Sequence, residues 1–598
     1  MSQVTIRANL SSAHIPLLSE EFGRSIIVRA QDINYTPQLN AKGTDVDKDV
    51  GIPQVYYAHN VLPTHYGYRS ISFSAQIPGI GIITFSQVFN LLGSAGQKAF
   101  LAVCTDGSLY ICHSGTGYTW VATTGYYKAI NTTGVSNVGD GQMVSAKVYT
   151  GAGADVYTAV MSSATAFAVS KNGIAEGAGT TGTEYTSVNG KVKFTINTAT
   201  IPFSAGDTFT LTLSLATFTG NITKSALSGE TYIASEGSGI FQYDFTANVF
   251  IWRLAAGVLT SEILGITASN GYMILYSKDT VLWSSLIDQL DFIPSLSTGA
   301  GGGSIEEADG PVRRVVGLSS GFLVFTAANC VGASFSNNSR YPFIYRAVSN
   351  AGGIPDLSQV TDEADGTSVY AFTTHGLQQI SIQKAVGIMP EISDMLTGKR
   401  FEDFDSGTLS FSTQNLTVPL KKRIEFISGR YLIISYGMTS FTHAVVVDTT
   451  LNRSGKIKLP HVSAFQYGFL DADDADTPKK QIAFLASNGL VKTVEFAAGV
   501  TSDDSVCIIG RFQYVRQRTL QLDSVELESV DPNTDCQLYT YPAEDSKSLT
   551  NPILGAQKES GMTRTYRFRA TAKTHTLCLK GTFRLNSLVI SFNVHGVR

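Results

Sequence analysis

The sequence predicts an all-β protein, with a β-propeller-like core, a small β-sandwich domain inserted into that core, and a C-terminal β domain. Three observations support this fold class. Runs of about four to eight residues rich in Val, Ile, Phe, Tyr and Thr recur along the chain and are separated by turns that contain Gly, as antiparallel strands are. Apolar residues at helical spacing are almost absent. Similar strand–turn–strand units return at intervals, which is typical of repeat folds.

The repeated units define the predicted propeller core. Each has a strand, a short turn with Gly and a second strand, and they span residues 98–121, 231–253, 266–285, 315–336, 368–382, 424–461 and 481–496. From residue 266 onward they begin roughly every 50 residues, which is about the length of a four-stranded propeller blade. Radial repetition of this kind leaves few open strand edges. A set of unrelated β-sandwiches is the alternative arrangement.

Composition and strand length divide the 598 residues into five predicted segments. The first contains Pro37, Pro53 and Pro63, which favour an extended arm. The inserted segment is rich in Thr, Ala and Gly, and the last segment has longer strand-like runs. The predicted segments are an N-terminal arm that leads into the propeller (1–85), a first blade (86–130), the inserted sandwich (131–222), the remaining blades (223–505) and the C-terminal β domain (506–598).

The composition argues against several classes of protein. Hydrophobic residues make up 43% of the chain, which is enough for packed cores and argues against disorder. Charged residues make up only 15%, against about 25% in typical soluble proteins, so we expect a surface rich in Ser, Thr, Gly and Asn that is partly buried against neighbouring subunits. A net charge of −4 gives no strong attraction to nucleic acid or acidic membranes. No run of about 18 apolar residues predicts a membrane span, and Met1–Leu10 lacks the form of a signal peptide.

The cysteines and two of the histidines are predicted to be structural. A disulfide between Cys104 and Cys112 is disfavoured, because a tight turn at Asp106-Gly107 would place Cys104 opposite Leu109. His59 and His65 have no carboxylate or cysteine at ligand spacing, so a place in the core or at an interface is predicted. The residues predicted to be buried free thiols, as in a protein assembled in a reducing cytoplasm, are Cys104, Cys112, Cys330, Cys507, Cys536 and Cys578.

No motif predicts an enzyme or a cofactor site. Gly317–Gly321 matches the G-x-S-x-G pattern of a hydrolase nucleophile, but strand-like residues flank it on both sides, so a hairpin turn is predicted. Gly117–Trp120 resembles the end of the Asp-box turn of sialidase-type propellers, although Gly115 stands where that turn has its aspartate. A glycosidase of the usual kind also needs two carboxylates that face a cleft, and no such pair stands out.

Two acidic stretches are incomplete as metal sites. Asp45, Asp47 and Asp49 alternate like calcium ligands, but Tyr56 stands where a bidentate Glu belongs. A second acidic cluster lies within residues 471–476. Both are predicted to be solvated loops, and cation binding by either is the less favoured alternative. No metal site is therefore predicted.

The stretch of residues 561–598 is strongly basic and contains no Asp or Glu. In a strand, Arg567 and Arg569 would share one polar face, while Tyr566 and Phe568 would point to the opposite side. The polar face is predicted either to contact passing DNA or an acidic neighbour, or to be a solvated outer surface. The candidate channel- or partner-facing residues are Arg564, Arg567, Arg569, Lys573, Lys580 and Arg584.

Several segments carry a family resemblance. Asn60–Thr64 is followed closely by Gly67–Ser70, Asp279–Ser285 forms a strand-like run, and Ala444–Leu459 forms a late strand–turn–strand unit. These segments, the basic C-terminal strands and the order of parts resemble the nozzle proteins of short-tailed bacteriophages, also called hub or tail tubular B proteins. In that family an arm is followed by a propeller with an inserted platform domain and by a closing β domain.

The resemblance implies a mechanical function rather than catalysis. Nozzle subunits form a ring, usually sixfold, beneath the adaptor ring that joins the portal to the tail. The ring extends the DNA channel, retains the genome, binds tail fibres or spikes and opens during ejection, with only transient contact to genomic DNA. The resemblance therefore implies a homo-oligomeric virion protein without a cofactor, assembled in the host cytoplasm. The alternative is a glycan-binding or glycan-cleaving propeller of a phage tail, which exposed aromatic clusters with paired carboxylates would favour.

Overall fold

The computed structural model describes residues 2–9, 26–28, 55–64, 67–81, 83–94, 96–113, 116–336, 338, 341–361, 364, 366–398, 400–451, 453–467, 482–496, 505–514, 519–528, 535–543, 551–560, 563–585 and 587–594. The chain divides into two compact units. Unit 1 contains residues 1–76, 389–484 and 491–598, and unit 2 contains residues 77–388 and 485–490. The described regular structure is almost entirely strand, which confirms the predicted all-β class.

The N-terminal part of unit 1 contributes five strands. They are β1 (Ser2–Asn9), β2 (Ile26–Val28), β3 (Val55–His59), β4 (Val61–Thr64) and β5 (Gly67–Ile77).

The strands of unit 2 follow in chain order. A first four-stranded sheet contains β6 (Phe85–Leu92), β7 (Lys98–Cys104), β8 (Leu109–Cys112) and β9 (Val121–Thr123). The inserted segment contributes β10 (Tyr127–Thr133), β11 (Gln142–Tyr149), β12 (Val156–Met161), β13 (Ala166–Lys171), β14 (Ile174–Thr180), β15 (Tyr185–Thr186), β16 (Val192–Asn197) and β17 (Thr208–Leu215).

Four further antiparallel sheets follow the insert in unit 2. The first contains β18 (Ile222–Leu227), β19 (Glu230–Ser235), β20 (Gly239–Asp244) and β21 (Val249–Arg253), and the second contains β22 (Gly265–Ser269), β23 (Tyr272–Tyr276), β24 (Val281–Trp283) and β25 (Gly301–Gly303). The third contains β26 (Arg314–Leu318), β27 (Gly321–Phe325), β28 (Cys330–Phe335) and β29 (Phe343–Ala347). The fourth contains β30 (Ser368–Thr373), β31 (Gly376–Ser381) and β32 (Ala385–Gly387). Short 3-10 helices lie at Thr260–Glu262 and Leu357–Gln359.

Consecutive sheets of unit 2 pack face to face, as the blades of a propeller do. In β23, Met273 and Leu275 share a core with Ile240 of the preceding sheet. The alternate residue Ile274 shares another core with Phe322 of the following sheet. Because both faces of the strand are covered, its five residues are all buried and apolar instead of alternating. A further core joins β27 to β30 and β31 in the same way, so the predicted propeller-like core is confirmed.

The inserted segment forms two sheets around one core that contains Tyr157, Phe167 and Phe209. One sheet has the order β10-β17-β12-β13-β14. The other has the order β15-β16-β11, and it continues into the next blade-like sheet because Lys147 of β11 pairs with Arg253 of β21. Inward and outward residues alternate along β16 and β17, as expected for a sandwich with one solvated face per sheet.

The rest of unit 1 begins with the helix α1 (Pro390–Thr397). Its strands are β33 (Arg400–Asp405), β34 (Ser410–Asn415), β35 (Lys421–Ile427), β36 (Tyr431–Gly437), β37 (Phe441–Asp448), β38 (Arg453–His461), β39 (Ser463–Gln466), β40 (Ile482–Leu485), β41 (Val491–Phe496), β42 (Val506–Tyr514), β43 (Leu520–Glu528), β44 (Asp535–Ala543), β45 (Ile553–Leu554), β46 (Ala556–Ser560), β47 (Thr563–Ala572), β48 (Thr574–Thr582), β49 (Arg584–Leu585) and β50 (Ser587–Val594).

A ten-stranded sheet of unit 1 joins segments that the sequence analysis separates. Its order is β35-β36-β37-β38-β3-β42-β48-β44-β45, with β2 beside β42. Strand β3 lies between β38 and β42, where His59 pairs with Lys456 and Ala58 pairs with Cys507. A strand from the first segment thus pairs with both neighbours, through one residue pair with β38 and several with β42. The boundary predicted at residue 506 therefore falls inside a continuous sheet, and residues 55–59 of the predicted arm form a central strand.

Three smaller sheets complete unit 1, and the smallest is the two-stranded sheet of β33 and β34. The six-stranded sheet has the order β39-β40-β41-β5-β4, with β49 beside β5, and its core includes Ile71 and Phe484. The five-stranded sheet has the order β1-β50-β43-β47-β46, so strands from both ends of the sequence pair with each other. All six cysteines are buried and free, as predicted. Within the part of the chain that the structure describes, no helix has the length and apolarity to cross a membrane.

Candidate functional site

Five of the six basic residues singled out from the sequence lie in three different sheets of unit 1, and the sixth lies between two strands. Arg564, Arg567 and Arg569 belong to β47 in the five-stranded sheet. Lys573 lies between β47 and β48, Lys580 in β48 of the ten-stranded sheet, and Arg584 in β49 beside β5. Proximity in sequence therefore does not place these six residues in one sheet.

The alternation predicted for β47 is present. Tyr566 and Phe568 are buried, while Arg567 and Arg569 are exposed. Register places Ser524 of β43 opposite Arg567, and Glu526 of β43 opposite the residue two positions before it. Directly opposed residues of antiparallel strands share a face, so Glu526 lies on the same face as the two arginines. This face therefore carries both positive and negative charge, although β47 itself contains no Asp or Glu.

The other basic residues are partly buried. Lys580 Nζ donates a hydrogen bond to the carbonyl oxygen of Ser406 at 2.9 Å. Arg584 is half-buried beside β5, with its Nε shielded from solvent and without a hydrogen-bond partner among the described residues. Of the six residues, Arg567 and Arg569 are the two with mostly exposed side chains.

A charged cluster that the sequence analysis did not find lies at the ten-stranded sheet. Asp403 of β33 is its centre: Oδ1 is 3.0 Å from His443 Nε2, and Oδ2 accepts a hydrogen bond from Lys458 Nζ at 2.7 Å. Burial acts to raise the pKa of Asp403, but the hydrogen bonds from His443 and Lys458 outweigh it and hold this pKa well below its usual range. One carboxylate thereby links β33, β37 and β38.

Neutral histidines surround this carboxylate. Burial, followed by the nearby Lys456 ammonium, lowers the pKa of His59 to about 3. Burial also lowers the pKa of His443 to about 4, in spite of its bond to Asp403. Lys456 Nζ lies 5.1 Å from the centre of the Tyr57 ring, which favours the buried cation. The prediction that His59 is a core histidine is confirmed.

Thr442 Oγ1 lies 2.9 Å from His443 Nδ1. The hydrogen bonds thus connect a hydroxyl, a histidine and a carboxylate in that order, as in the catalytic triad of a hydrolase. The Lys458 ammonium also binds the carboxylate of Asp403. It neutralises part of the negative charge with which Asp403 would stabilise a His443 imidazolium. With a pKa near 4, His443 is also a weak base at neutral pH. The arrangement therefore favours a structural tie between strands over nucleophilic catalysis.

The remaining motifs have structural roles where the structure describes them. In the G-x-S-x-G segment, Leu318 pairs with Gly321 across a tight turn between β26 and β27, so the predicted hairpin is confirmed. After the Asp-box-like turn, Trp120 Nε1 donates a hydrogen bond to the carbonyl oxygen of Gly489 at 2.7 Å. His65 and the acidic stretches at 45–49 and 471–476 lie outside the described residues. Within the described ranges, no group of three His, Cys, Asp or Glu side chains is placed to hold a metal ion.

The chain matches no protein-family model and no curated protein sequence. Similar solved structures include U3-55K, with a TM-score of 0.33 and 7% identity over 71% of this chain and 98% of that one. They also include the RRP9 WD40 repeats, with a TM-score of 0.31 and 8% identity over 71% and 100%. PorZ, a bacterial surface component of the type-IX secretion system of Porphyromonas gingivalis, has a TM-score of 0.29 and 9% identity over 83% and 75%. With TM-scores this low, the fold assignment rests on the strand pairing and core packing described above.

Proposed function

We propose that this protein is a structural subunit of the tail nozzle ring of a short-tailed bacteriophage. In this role it extends the DNA channel below the adaptor, retains the genome, anchors tail fibres or spikes, and opens for ejection. The main support for the proposal is the order of the sheets and the inserted sandwich along the chain. One blade-like sheet precedes the sandwich of residues 127–215, further blade-like sheets follow it, and C-terminal strands complete unit 1.

The surface of unit 2 supports a role as a ring subunit. The loop of residues 286–296 exposes Leu286 by 60%, Ile287 by 83% and Leu296 by 76%. The Leu286 amide donates a hydrogen bond to the Thr298 carbonyl oxygen at 3.2 Å, which holds the two arms of this loop together. Clustered exposed apolar side chains are typical of surfaces that a partner covers. A chain with only 15% charged residues gains solubility when such surfaces are buried in an assembly.

The β47 face fits brief contact with DNA. Arg567 and Arg569 provide positive charge, and Glu526 on the neighbouring strand offsets part of it. Each phosphate contact made by a basic residue adds affinity, so a channel that releases DNA quickly needs few of them. A mixed face would contact the passing duplex without holding it.

Electron cryo-microscopy of the purified full chain, alone and mixed with phage particle extract, tests the proposal. The expected result is a closed ring with a bore wide enough for duplex DNA, and density for the same ring at the tail of the particle. Monomers under all conditions, together with absence of the chain from purified virions, would contradict the nozzle role.

A further inference from the structure

The hairpin of β33 and β34 in unit 1 ends in a strand that packs against very little. The two strands form a sheet of their own, in which register runs without a break from Asp405 opposite Ser410 to Arg400 opposite Asn415. Strand β34 has no buried face of the kind by which a strand is usually held. Its described side chains are exposed on both faces of the strand, and they are Ser410, Ser412, Thr413, Gln414 and Asn415.

The far edge of β34 is open. An antiparallel strand that pairs on one side only directs about half of its amide and carbonyl groups away from its neighbour. On the far side of β34, no strand and no backbone hydrogen bond from any described residue meets these groups. A two-stranded hairpin is marginally stable in water, whereas three or more strands with a buried face can be stable. A third strand beside β34 would therefore stabilise the hairpin.

The other strand of the hairpin is fixed to the ten-stranded sheet. Asp403 ties β33 to β37 and β38, as described above. Phe404 is buried, and the centre of its ring lies 5.2 Å from that of Tyr57. The turn is held as well, because the Leu409 carbonyl oxygen accepts a hydrogen bond from the Tyr541 hydroxyl at 2.7 Å. The open edge is thus held in position in advance, which lowers the entropy cost of pairing with another strand.

This edge lacks the features that usually prevent pairing with another chain. Charges, prolines and bulges on an end strand oppose the addition of a further strand. The sequence of β34, SFSTQN, contains no charged residue and no proline, and its register has no bulge. Other end strands of unit 1 do carry charges, such as Arg7 in β1, Lys421 in β35 and Lys558 in β46.

The strand is also complementary to itself. When two copies of β34 run antiparallel with their centres aligned, Ser412 of each copy lies opposite Thr413 of the other, and Ser410 lies opposite Asn415. Serine and threonine side chains that face each other across strands can form hydrogen bonds. No like charges meet, because the strand contains none. Such a pair has twofold symmetry, as the commonest protein oligomers do.

We propose that β34 pairs with β34 of a second copy of this chain across a twofold axis. The product is one continuous sheet with the order β33-β34-β34-β33. The contact between two short strands is small, so the pair is weak and forms reversibly. It does not involve the loop of residues 286–296 and does not depend on the nozzle role.

Hydrogen exchange of the full chain at low and at high micromolar concentration tests the pairing. We expect the protection of the β34 amides to rise with protein concentration, and Ile287→Asp to leave this rise unchanged. Ser412→Lys combined with Thr413→Lys places like charges across the twofold axis and should weaken the pair at least about tenfold. Mixing this variant with the one that has glutamate at both positions should restore the protection, because opposite charges then meet.

Thr132→Lys combined with Thr133→Lys is the matched control. Both residues are exposed on β10, the end strand of another sheet, and the gain of charge is the same. This variant should keep the concentration-dependent protection of β34. Equal losses from the two lysine variants would overturn the proposal, as would protection that is absent or the same at every concentration. Protection that appears only with phage particle extract would assign the edge to another protein, which also overturns self-pairing.

Discussion

Single side chains decide how the charged cluster at Asp403 is held together. Asn in place of Asp403 keeps the shape but loses the negative charge that pairs with Lys458 and strengthens the hydrogen bond to the neutral His443. Hydrogen bonds to charged groups contribute about 1.5–3 kcal/mol, so we expect Asp403→Asn to lower the stability of β37 and β38 by about 2 kcal/mol. Hydrogen exchange of these strands in urea measures the change.

Asp405→Asn serves as the control for this substitution. Asp405 is on the same strand, but it accepts hydrogen bonds from Gly407 and Thr408 in an exposed turn. An asparagine oxygen can accept the same bonds, so we expect a much smaller loss of stability than for Asp403→Asn. Equal losses for the two variants would show that the cluster adds no stability of its own.

Alanine substitutions at two glycines distinguish the cost of backbone strain from the cost of a steric clash between chain segments. Gly321 and Gly310 both have positive φ, 146° and 92°. A Cβ at Gly321 would lie 1.9 Å from the Ala333 carbonyl oxygen, whereas a Cβ at Gly310 would meet nothing within 4 Å. We expect Gly310→Ala to cost about 1 kcal/mol and Gly321→Ala at least about 3 kcal/mol, measured by urea unfolding. Similar losses would mean that the close approach at Gly321 relaxes freely.

At the scale of elements, the ten-stranded sheet contains four buried histidines. Burial lowers the pKa of His59 to about 3, and those of His443, His461 and His575 to about 4. The unfolded chain binds these protons near pH 6.5, so between about pH 6.5 and 4 it holds more protons than the folded chain. Unit 1 should therefore lose stability as the pH falls through this window, by up to about 1.4 kcal/mol per pH unit for each histidine.

Hydrogen exchange at about pH 7 and pH 5 measures this dependence strand by strand. We expect faster opening of β37, β42 and β48 at the lower pH, and little change in β23 and β27 of unit 2. Replacing His443 by Gln should reduce the dependence. Parallel changes in both units would contradict a role for the four histidines.

Elements also show how far the sequence determines the fold. The strands of the blades could be predicted because each is a local run of apolar residues between glycine turns, such as Tyr272–Tyr276. The position of β3 could not, because its partners Lys456 and Cys507 are about 400 and 450 residues away and its short run favours no particular neighbour. The cluster at Asp403 was missed for the same reason, since its members become neighbours only through strand pairing.

At the scale of the whole molecule, the exposed loop of residues 286–296 makes the ring proposal testable with one substitution. Ile287→Asp places a charge among the exposed apolar residues of this loop, and we expect it to shift the protein from rings to smaller species in sedimentation velocity. Val135→Asp is the control, because Val135 is fully exposed but belongs to a separate part of the chain. Unchanged rings with Ile287→Asp would exclude this loop as a subunit contact.

The pairing of β1 with β50 has a consequence for biosynthesis. Ser2–Asn9 leaves the ribosome first among the described strands, but its partner Ser587–Val594 is made last of them. The same delay applies to β3, which must wait for Val506–Tyr514. Contacts between such distant residues slow folding, so unit 1 acquires its native sheets only after nearly all of this sequence has been translated. A prematurely terminated product would leave two sheets of unit 1 with vacant strand edges.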